Sequence, residues 1–302
     1  MTYDVIGLGV ASVDFLCLLD SFPERGAKTR APGFALQGGG LVGTALVTLA
    51  RLGARVCYVG KLGRDEFSEF LVREFEREGV NLKLKREEGI LPVRAVVLVV
   101  GSTGERTIVW TDEGTSKLSL QEVEPDELVG SARILHLDYV GLELEAAIEI
   151  AKRARKRGVK VSIDAEKVVP GVEKLLDLTD LLVVPEDFSY QLVGERDPER
   201  GARFLHRRHG SEAVCITAGE RGCFCLAEGE FFHQPAFRVK VVDTTGCGDV
   251  FHGAFLYGVL KGWDWRRIAR FASAVAALKC RSLGGRAGIP RLGEVEEFLA
   301  TA

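Results

Sequence analysis

The sequence contains no long uncharged apolar run and no excess of basic residues. Of its 302 residues, 46% are apolar, yet no uncharged stretch approaches the ~18 residues that a membrane-spanning helix needs, so we expect no membrane span. The formal net charge is −3, so a nucleic-acid-binding surface is not expected either. The longest basic cluster, KRARKR at 152–157, precedes Gly158 at the end of a predicted helix. Cations are favourable at that end of a helix, and we interpret the cluster as solvated.

Cysteine and histidine lack the spacing of a disulfide framework or a metal site. The seven cysteines are odd in number and irregularly placed, and the N-terminus enters a strand without a basic leader. We therefore expect a reducing, cytoplasmic location. Cys223 and Cys225 are separated by one residue, which is not the usual spacing of zinc ligands. We interpret each of the five scattered histidines as a surface or locally satisfied side chain. These are His136, His206, His209, His233 and His252.

Several catalytic and nucleotide-binding motifs are also absent. The chain has no HExxH and no GxSxG. GLGVAS at 7–12 lacks the third glycine of a dinucleotide fingerprint, and an extended pattern follows it where the fingerprint requires a helix. The glycines at 38–40 are not followed by Gly-Lys-Ser/Thr, which excludes a P-loop.

Apolar strands alternate with amphipathic helices along most of the chain. Strand patterns at 3–8 and 55–59, for example, flank a helix predicted over Leu41 to Leu52. The same alternation runs from residue 133 onward. It predicts an α/β fold, with a mostly parallel sheet sandwiched by helices, in a single domain over residues 1–302.

Two segments break this alternation. Residues 93–111 have the pattern of two strands joined by a tight turn at 101–104, and residues 13–19 form a strand pattern before a turn-rich stretch. We predict a small β-sheet lid, drawn from about residues 12–36 and 91–112, that covers a site. The alternative is an extension of the main sheet.

The stretch VVDTTGCGDVFHGAFLYGVL, residues 241–260, places two glycines and an acid where a helix begins. A helix N-terminus leaves amides unpaired and carries a partial positive charge, and glycines let an anion approach the backbone. The alternative is an ordinary helix start, with Asp249 as a first-turn acid and Thr244 or Thr245 as the N-cap. That alternative does not explain the two glycines.

Asp249 has a chemical task if the loop binds a phosphate. We expect the helix dipole to keep the carboxylate ionised at neutral pH. It can then accept the proton of a hydroxyl placed between it and the phosphate, while the backbone amides stabilise the charge on the transferring group. This arrangement indicates phosphoryl transfer to an alcohol.

Two long motifs resemble the signatures of one enzyme family. DTTGCGDVFHGAF resembles the C-terminal signature of the PfkB (ribokinase-like) carbohydrate kinases, D-T-x-G-A-G-D, and residues 38–71 resemble the N-terminal signature. The resemblance implies a Rossmann-like α/β fold with a β-sheet lid and ATP-dependent phosphorylation of a hydroxymethyl group. It implies that Asp249 is the catalytic base and that the backbone of Gly246, Cys247 and Gly248 forms the anion hole. Cys247 replaces the common alanine, as a space-filling residue or as a reactive thiolate.

The resemblance also implies binding residues. Asp14 matches the acid that binds sugar hydroxyls, and Gly39 and Gly40 match the glycines against which the sugar lies. Arg106, on the predicted lid, and Asp138 fall near the substrate. The implied nucleotide contacts are Thr217, Gly219, Gly222 and Ser273, with helix packing as the alternative for Ser273.

The sequence departs from the family pattern at three places. Thr44 stands where the family commonly has asparagine, which argues against simple ribokinase specificity because one hydroxyl cannot replace a two-sided amide. Pro185 and Phe188 align with the Asn-x-x-Glu motif that is tied to magnesium. We expect ATP with Mg²⁺, and we suggest that Asp164 and Glu166 contact the metal through water. Activation by a monovalent cation stays open.

These features predict an ATP-dependent sugar kinase. The opening SVDFLCLLDSFPERG looks somewhat like ketohexokinases, so a ketose is the favoured acceptor. An adenosine-like nucleoside kinase is the enzymatic alternative, and a non-catalytic sugar or nucleotide sensor on the same fold is the other. The expected partners are a sugar and ATP, and a homodimer through the lid edge is a further hypothesis.

Overall fold

Successive residues of the first strand pack against two different layers of helices. In the computed structural model, which describes residues 2–302, Val5 and Ile6 are both fully buried, but they belong to two separate apolar clusters. The same alternation recurs in the strand at Leu181–Pro185. Strands with both faces buried are the near-continuous apolar runs seen in the sequence.

The main sheet has nine strands. Seven of them are parallel, and two at one edge are antiparallel. In chain order the sheet contains β1 (Tyr3–Leu8), β4 (Val56–Leu62), β5 (Asn81–Arg86), β8 (Ala132–Leu137), β9 (Lys160–Asp164), β10 (Leu181–Pro185), β11 (Ala213–Thr217), β12 (Cys223–Ala227) and β13 (Glu230–Gln234). Their spatial order is β13-β12-β11-β10-β9-β8-β1-β4-β5. The chain moves outward in opposite directions from β1 and β8, so the crevice between their carboxyl ends is where such sheets bind ligands.

Two layers of helices cover the sheet. One face carries α1 (Leu41–Arg51), α2 (Glu66–Arg77), α8 (Cys247–Leu260), α9 (Trp265–Lys279) and α10 (Leu292–Thr301). The other carries α3 (Pro125–Ser131), α4 (Leu144–Lys156), α5 (Glu173–Leu176), α6 (Glu186–Val193) and α7 (Pro198–His209). This arrangement confirms the predicted α/β class.

A second, four-stranded sheet stands apart from the main one. Its strands are β2 (Ser12–Leu19), β3 (Gly33–Gly39), β6 (Val93–Val100) and β7 (Glu105–Thr111), in the order β3-β2-β6-β7. Only one of its faces has a buried cluster, formed by Leu16, Ala95, Val97 and Val99. The separate sheet agrees with the predicted lid and not with the alternative, an extension of the main sheet.

Other parts of the chain also bear on the predictions. The GLGVAS motif leads into β2, so no helix follows it. The basic cluster ends α4, and Arg153 and Arg157 pair with Asp126 on the neighbouring helix. The edge strand β5 was not among the predicted strands, because NLKLKR is mostly polar. No helix in residues 2–302 has the length and apolar character needed to cross a membrane.

Candidate active site

The glycine-rich loop before α8 ends in a left-handed turn at Gly246. Its φ of 71° lies where side chains are disfavoured, and an added Cβ would lie 2.9 Å from the Cα of Gly285. Both facts require glycine there. The helix begins at Cys247, whose amide donates to the carbonyl of Thr244 at 3.3 Å, and the amide of Val250 makes the first i to i−4 bond, to the carbonyl of Gly246.

The amides of Gly248 and Asp249 are left unpaired at this helix start. Neither has an acceptor within the part of the chain that the structure describes. A Cβ on Gly248 would meet no atom within 4 Å, so open space lies beside these amides. Unpaired amides at a helix N-terminus next to open space fit an anion.

Two buried charged side chains hold the loop. The carboxylate of Asp243 accepts from the amide and the hydroxyl of Thr245, at 2.8 and 2.7 Å, and from the amide of Gly284, at 2.7 Å. The ammonium of Lys279 donates to the carbonyls of Asp243, at 3.1 Å, and Thr245. The protein itself therefore orders the loop. Lys279 was not among the predicted site residues.

Asp249 lies in the first turn of α8 and is partly exposed. Burial raises the pKa of its carboxyl to about 8, and the carboxylates of Glu166 and Asp14 add to the increase. Arg106 acts in the opposite direction. The helix dipole therefore does not keep this carboxyl fully ionised at neutral pH, which corrects the sequence-based expectation.

The fold brings Asp164 and Glu166 to the same place as Asp249. Asp164 ends β9 and is 4% exposed, and its pKa is raised well above the usual value by burial and then by Asp249 and Glu166. Mutual repulsion of three carboxylates is relieved by a divalent cation. Carboxylate oxygens suit an ion such as Mg²⁺, but those of Asp164, Glu166 and Asp249 do not all lie within 4.8 Å of one another, so a shared ion would be contacted through water.

Two histidines lie beneath these carboxylates. The Nε2 atom of His252 is 3.6 Å from an oxygen of Asp164, and its ring centroid is 5.5 Å from that of His136. Burial lowers the pKa of both imidazoles, that of His136 to about 4, so both are neutral at pH 7. The interpretation as surface or locally satisfied side chains does not hold for this pair, because both are buried and each leaves one ring nitrogen without a hydrogen-bond partner in residues 2–302.

The lid presents an acid, an arginine and a tryptophan on one face. The strand register puts Asp14 of β2 on the same side of the lid sheet as Arg106 and Trp110 of β7. The guanidinium of Arg106 donates to the hydroxyl of Thr244, 2.9 Å away. This face of the lid is therefore turned toward the loop before α8.

Asp14 is held at the base of the lid and is 7% exposed. Its carboxylate accepts from the hydroxyl of Ser12 at 2.8 Å, and burial raises its pKa. A Cβ on Gly39 would collide with this carboxylate. Gly40 has a φ of 88° at the N-cap of α1, where a side chain would collide with the carbonyl of Val10. Both glycines are needed to bring the lid strand this close to Asp14.

Comparison with known proteins identifies the family. The model of the pfkB family carbohydrate kinases matches residues 4–292. The chain belongs to this family. It is similar to ribokinase of Haemophilus influenzae (28% identity over 98% of each chain) and to ketohexokinase of Mus musculus (26% identity, 91% of this chain and 95% of the other). The structure of Arabidopsis thaliana ribokinase complexed with ribose and ATP superposes with a TM-score of 0.82 at 25% identity, covering 99% of each chain.

As a pfkB family member, the protein is an ATP-dependent carbohydrate or nucleoside kinase. The glycine-rich loop before α8, the adjacent acid Asp249 and the separate four-stranded sheet are features that the two sequence signatures implied.

Thr44 is buried against Arg286. It is 1% exposed, and its hydroxyl lies 3.4 Å from Nε of Arg286, which donates to it. Arg286 is itself 3% exposed and donates to the carbonyl of Gly39 at 2.7 Å, with its guanidinium 4.8 Å from the ring of Phe75. The substrate contact that the family resemblance implies for Thr44 stays a prediction. Arg286 was missed, because one arginine in a glycine-rich loop has no periodic pattern.

Asp138 has a structural role at the end of β8. It is fully buried, and its two oxygens accept from the amides of Val10, Val140 and Gly141 at 2.7 to 2.9 Å. Burial outweighs these bonds and raises its pKa to about 6, so the carboxyl is ionised at neutral pH. Asp138 holds the turn after β8 against the end of β1, and its expected position near the substrate stays a prediction.

The predicted nucleotide residues lie around the end of β11. Thr217 is its last residue, and Gly219 and Gly222 have φ values of 55° and 87° in the turn that follows. Ser273 is 5% exposed within α9, where its hydroxyl lies 3.9 Å from the thiol of Cys223. Its burial favours the helix-packing alternative for Ser273.

The residues that align with the Asn-x-x-Glu motif also differ from that motif in their structural surroundings. Pro185 is the N-cap of α6, and Phe188 is fully buried behind it. Glu186 forms a salt bridge with Arg221. None of these residues offers a free ligand to a metal ion.

Two groups of cysteines come together that the sequence spacing did not indicate. The sulfurs of Cys215, Cys223 and Cys225 lie within 4.8 Å of one another in the core, because β11 and β12 pair there. At the anion-binding loop, the sulfur of Cys247 is 2.9 Å from that of Cys280. Their hydrogen bond raises the pKa of Cys247 and lowers that of Cys280 to about 7. The raised pKa of Cys247 favours the space-filling alternative over the reactive thiolate.

Proposed function

We propose that this protein is a sugar kinase that transfers the γ-phosphoryl group of ATP to a hydroxyl group, with Asp249 as the general base. One observation carries the proposal. The carboxyl group of Asp249 lies in the same helical turn as the unpaired amides that fit an anion. A base beside an anion site is the arrangement that phosphoryl transfer to an alcohol requires.

Each part of the site has one role in this reaction. Asp14 accepts hydrogen bonds from the sugar and orients it. Asp249 accepts the proton of the attacking hydroxyl. The free amides of Gly246, Gly248 and Asp249 stabilise the charge on the transferring group, whereas the amide of Cys247 is bonded to the carbonyl of Thr244. The lid, whose Arg106 already contacts Thr244, excludes water that would otherwise take the phosphoryl group.

The raised pKa of Asp249 suits a general base. A base whose pKa is near the operating pH is a stronger proton acceptor than an ordinary carboxylate, as long as part of it is ionised. A bound cation lowers the pKa and increases the ionised fraction. The side chains that would hold Mg²⁺, through water, are Asp164 and Glu166. The ion supplies neutralisation of the phosphate charges.

The acceptor is a ketose in this proposal. The ketohexokinase relative and the buried Thr44 both support it, because Thr44 cannot supply the amide contact that the family's asparagine makes. A nucleoside acceptor is the second candidate. It is favoured by Trp110, which is 49% exposed on the site-facing side of the lid and offers a ring for a base to stack on. A non-catalytic sensor would have no need of a base at position 249.

We further propose that two copies associate through the lid. The face of the lid sheet opposite Asp14 carries four exposed apolar side chains: Phe34, Leu36, Val96 and Val109. They form a patch on a sheet whose edge strand β7 is exposed throughout. A second copy of the same face would cover both the patch and the open edge.

The test is release of ADP over a panel of ketoses, aldoses, sugar phosphates and nucleosides, with the Asp249→Asn variant run in parallel. We expect one sugar class to support turnover in the wild type. In the variant we expect turnover to be abolished while ATP binding, followed by calorimetry, is retained. Turnover of the variant within a few-fold of wild type would refute the role of Asp249, and activity on nucleosides alone would favour the second candidate.

A further inference from the structure

Lys279 is the only lysine in residues 2–302 whose side chain is fully buried, and the reaction proposed for Asp249 does not use it. It is the last residue of α9, and its ammonium donates to the backbone carbonyls of Asp243 and Thr245. The sulfur of Cys247 lies 3.9 Å away. Within the described chain Lys279 forms no salt bridge. Because a buried ammonium is costly to desolvate, this set of carbonyl partners calls for an explanation.

The contact with Thr245 fixes the direction of an amide in the anion-binding loop. The carbonyl of Thr245 and the amide of Gly246 belong to one planar trans peptide unit, so the N–H points opposite to the C=O. Lys279 holds the carbonyl on one side and thereby turns the amide of Gly246 to the other side. That amide has no acceptor among residues 2–302. A hydrogen bond to the carbonyl also polarises the peptide and makes its N–H a better donor.

Carbonyl oxygens that converge on one point are the ligands that proteins offer to monovalent cations. In this protein the carbonyls of Asp243 and Thr245 converge on the ammonium group of Lys279, a cation that is covalently part of the chain. The carboxylate of Asp243 closes the loop from the other side through Thr245 and Gly284, so a charged group braces each side of the turn.

We propose that Lys279 is a positioning residue that acts as a built-in cation: it orients and polarises the Gly246 amide, and catalysis therefore needs no added monovalent cation. The inference rests on the proposed kinase function. It adds a prediction that the function alone does not make, because a purely structural lysine would not be replaceable by a small ion.

The experiment compares Lys279→Ala with Lys279→Met. The alanine variant leaves space for a small cation, whereas methionine fills the space with an apolar chain. We expect wild-type kcat to be the same in potassium, ammonium and choline chloride at equal ionic strength. We expect kcat of Lys279→Ala in choline to fall about 10²-fold, the loss typical of a missing anion-hole donor, with the KM for sugar little changed. Potassium or ammonium should restore most of the lost kcat in Lys279→Ala but not in Lys279→Met. Lys261→Met, at an exposed lysine, is the control.

Thermal unfolding gives a readout that does not depend on activity. Potassium should raise the midpoint temperature of Lys279→Ala and leave that of the wild type unchanged, even if no panel substrate is phosphorylated. If Lys279→Ala folds only in potassium, that also supports the proposal. It is overturned by strong potassium activation of the wild type, by a folded Lys279→Ala variant with near-normal kcat in choline, or by a loss that no small cation restores.

Discussion

At the scale of single residues, the candidate site depends on one carboxyl group whose environment opposes its ionisation. Asp249 is recessed beside Glu166 and Asp14, and only Arg106 offsets them. A group with this environment is costly to keep for stability alone. Stability therefore does not explain why the protein has this carboxyl group. Its position beside unpaired amides does, because it gives the group a use in the proposed reaction.

The rate should depend on pH through this group. Asp249 must be ionised to accept a proton, so kcat/KM should rise with pH and level off above about 8. Glu166→Gln removes a neighbouring negative charge and should move the rise to lower pH, whereas Arg106→Met should move it to higher pH. Normalised pH profiles of the three proteins measure this. A profile that falls over the same range, or shifts of the opposite sign, would contradict the assignment.

Replacing Asp249 by asparagine should not destabilise the protein. The folded-state pKa lies above the unfolded value, so the stability that the protonated carboxyl contributes at low pH is lost as pH rises toward about 8, and the loss levels off above that pH. The Asp249→Asn variant should therefore unfold at the same temperature as wild type at acidic pH and at a higher temperature in alkali. A variant that is less stable at alkaline pH would indicate that the carboxylate supports the fold.

At Gly248, the stability of α8 and the activity of the proposed site should respond in opposite ways to an added side chain. Alanine there meets no atom within 4 Å and should stabilise α8 by up to about 1 kcal/mol, but its methyl group would enter the space beside the amides. We expect an unchanged or raised unfolding temperature and a loss of kcat of about 10²-fold or more.

Gly293 provides a matched control for this prediction. It is the second residue of α10, as Gly248 is of α8, and its Cβ would also meet nothing within 4 Å. Gly293→Ala should share the stability effect and keep full activity. Equal activities of the two alanine variants would argue against an anion hole at Gly248.

At the scale of secondary-structure elements, the buried aspartates Asp138 and Asp14 differ in their hydrogen-bond partners. Asp138 joins the end of β1 to the turn after β8 through three amides, whereas Asp14 has one hydroxyl partner and faces the lid interior. Asp138→Asn should lower stability by about 1–3 kcal/mol, because an amide cannot accept all three bonds. The KM for sugar should change little.

Asp14→Asn should give the reverse result. Burial already raises its pKa, so loss of the charge should not lower the unfolding temperature, while the KM for sugar should rise about tenfold or more because a charged hydrogen-bond acceptor is lost. Chemical denaturation and steady-state kinetics on both variants measure the contrast. If Asp138→Asn changes KM with normal stability, the structural role assigned to Asp138 is wrong.

At the scale of the whole molecule, the lid joins the substrate site to a surface. Its inner face carries Asp14, Trp110 and Arg106, and its outer face carries the apolar patch of Phe34, Leu36, Val96 and Val109. If the patch is the interface between two copies, the same sheet positions the sugar and supports the dimer.

Charged substitutions on the patch should separate the copies. Val96 and Val109 are paired across β6 and β7, so the double variant Val96→Glu, Val109→Glu puts four carboxylates into a two-fold interface. We expect light scattering to give a dimer for the wild type and a monomer for this variant, since like charges across an interface are strongly unfavourable. Phe204→Glu, at an exposed phenylalanine on α7, should remain dimeric. A monomeric wild type at all concentrations would remove the dimer proposal.

The sequence by itself determined the α/β class, the separate lid and the loop before α8. These are local properties: apolar periodicity, turn residues and the position of Asp249 relative to Gly246 and Gly248 all lie within short windows of chain. It also contained one unused signal for Lys279, a charged residue on the apolar stripe that Ile268, Phe271 and Val275 form along α9.

Only the tertiary structure decided which side chains meet. Burial of Thr44 against Arg286, the three amides around Asp138, and the approach of His136 to His252 all join residues that are far apart in the chain. The same holds for the pKa of Asp249, because desolvation and neighbouring charge depend on packing and not on sequence neighbours. Periodicity specifies which face of an element is buried, but only the packed fold specifies what that face touches.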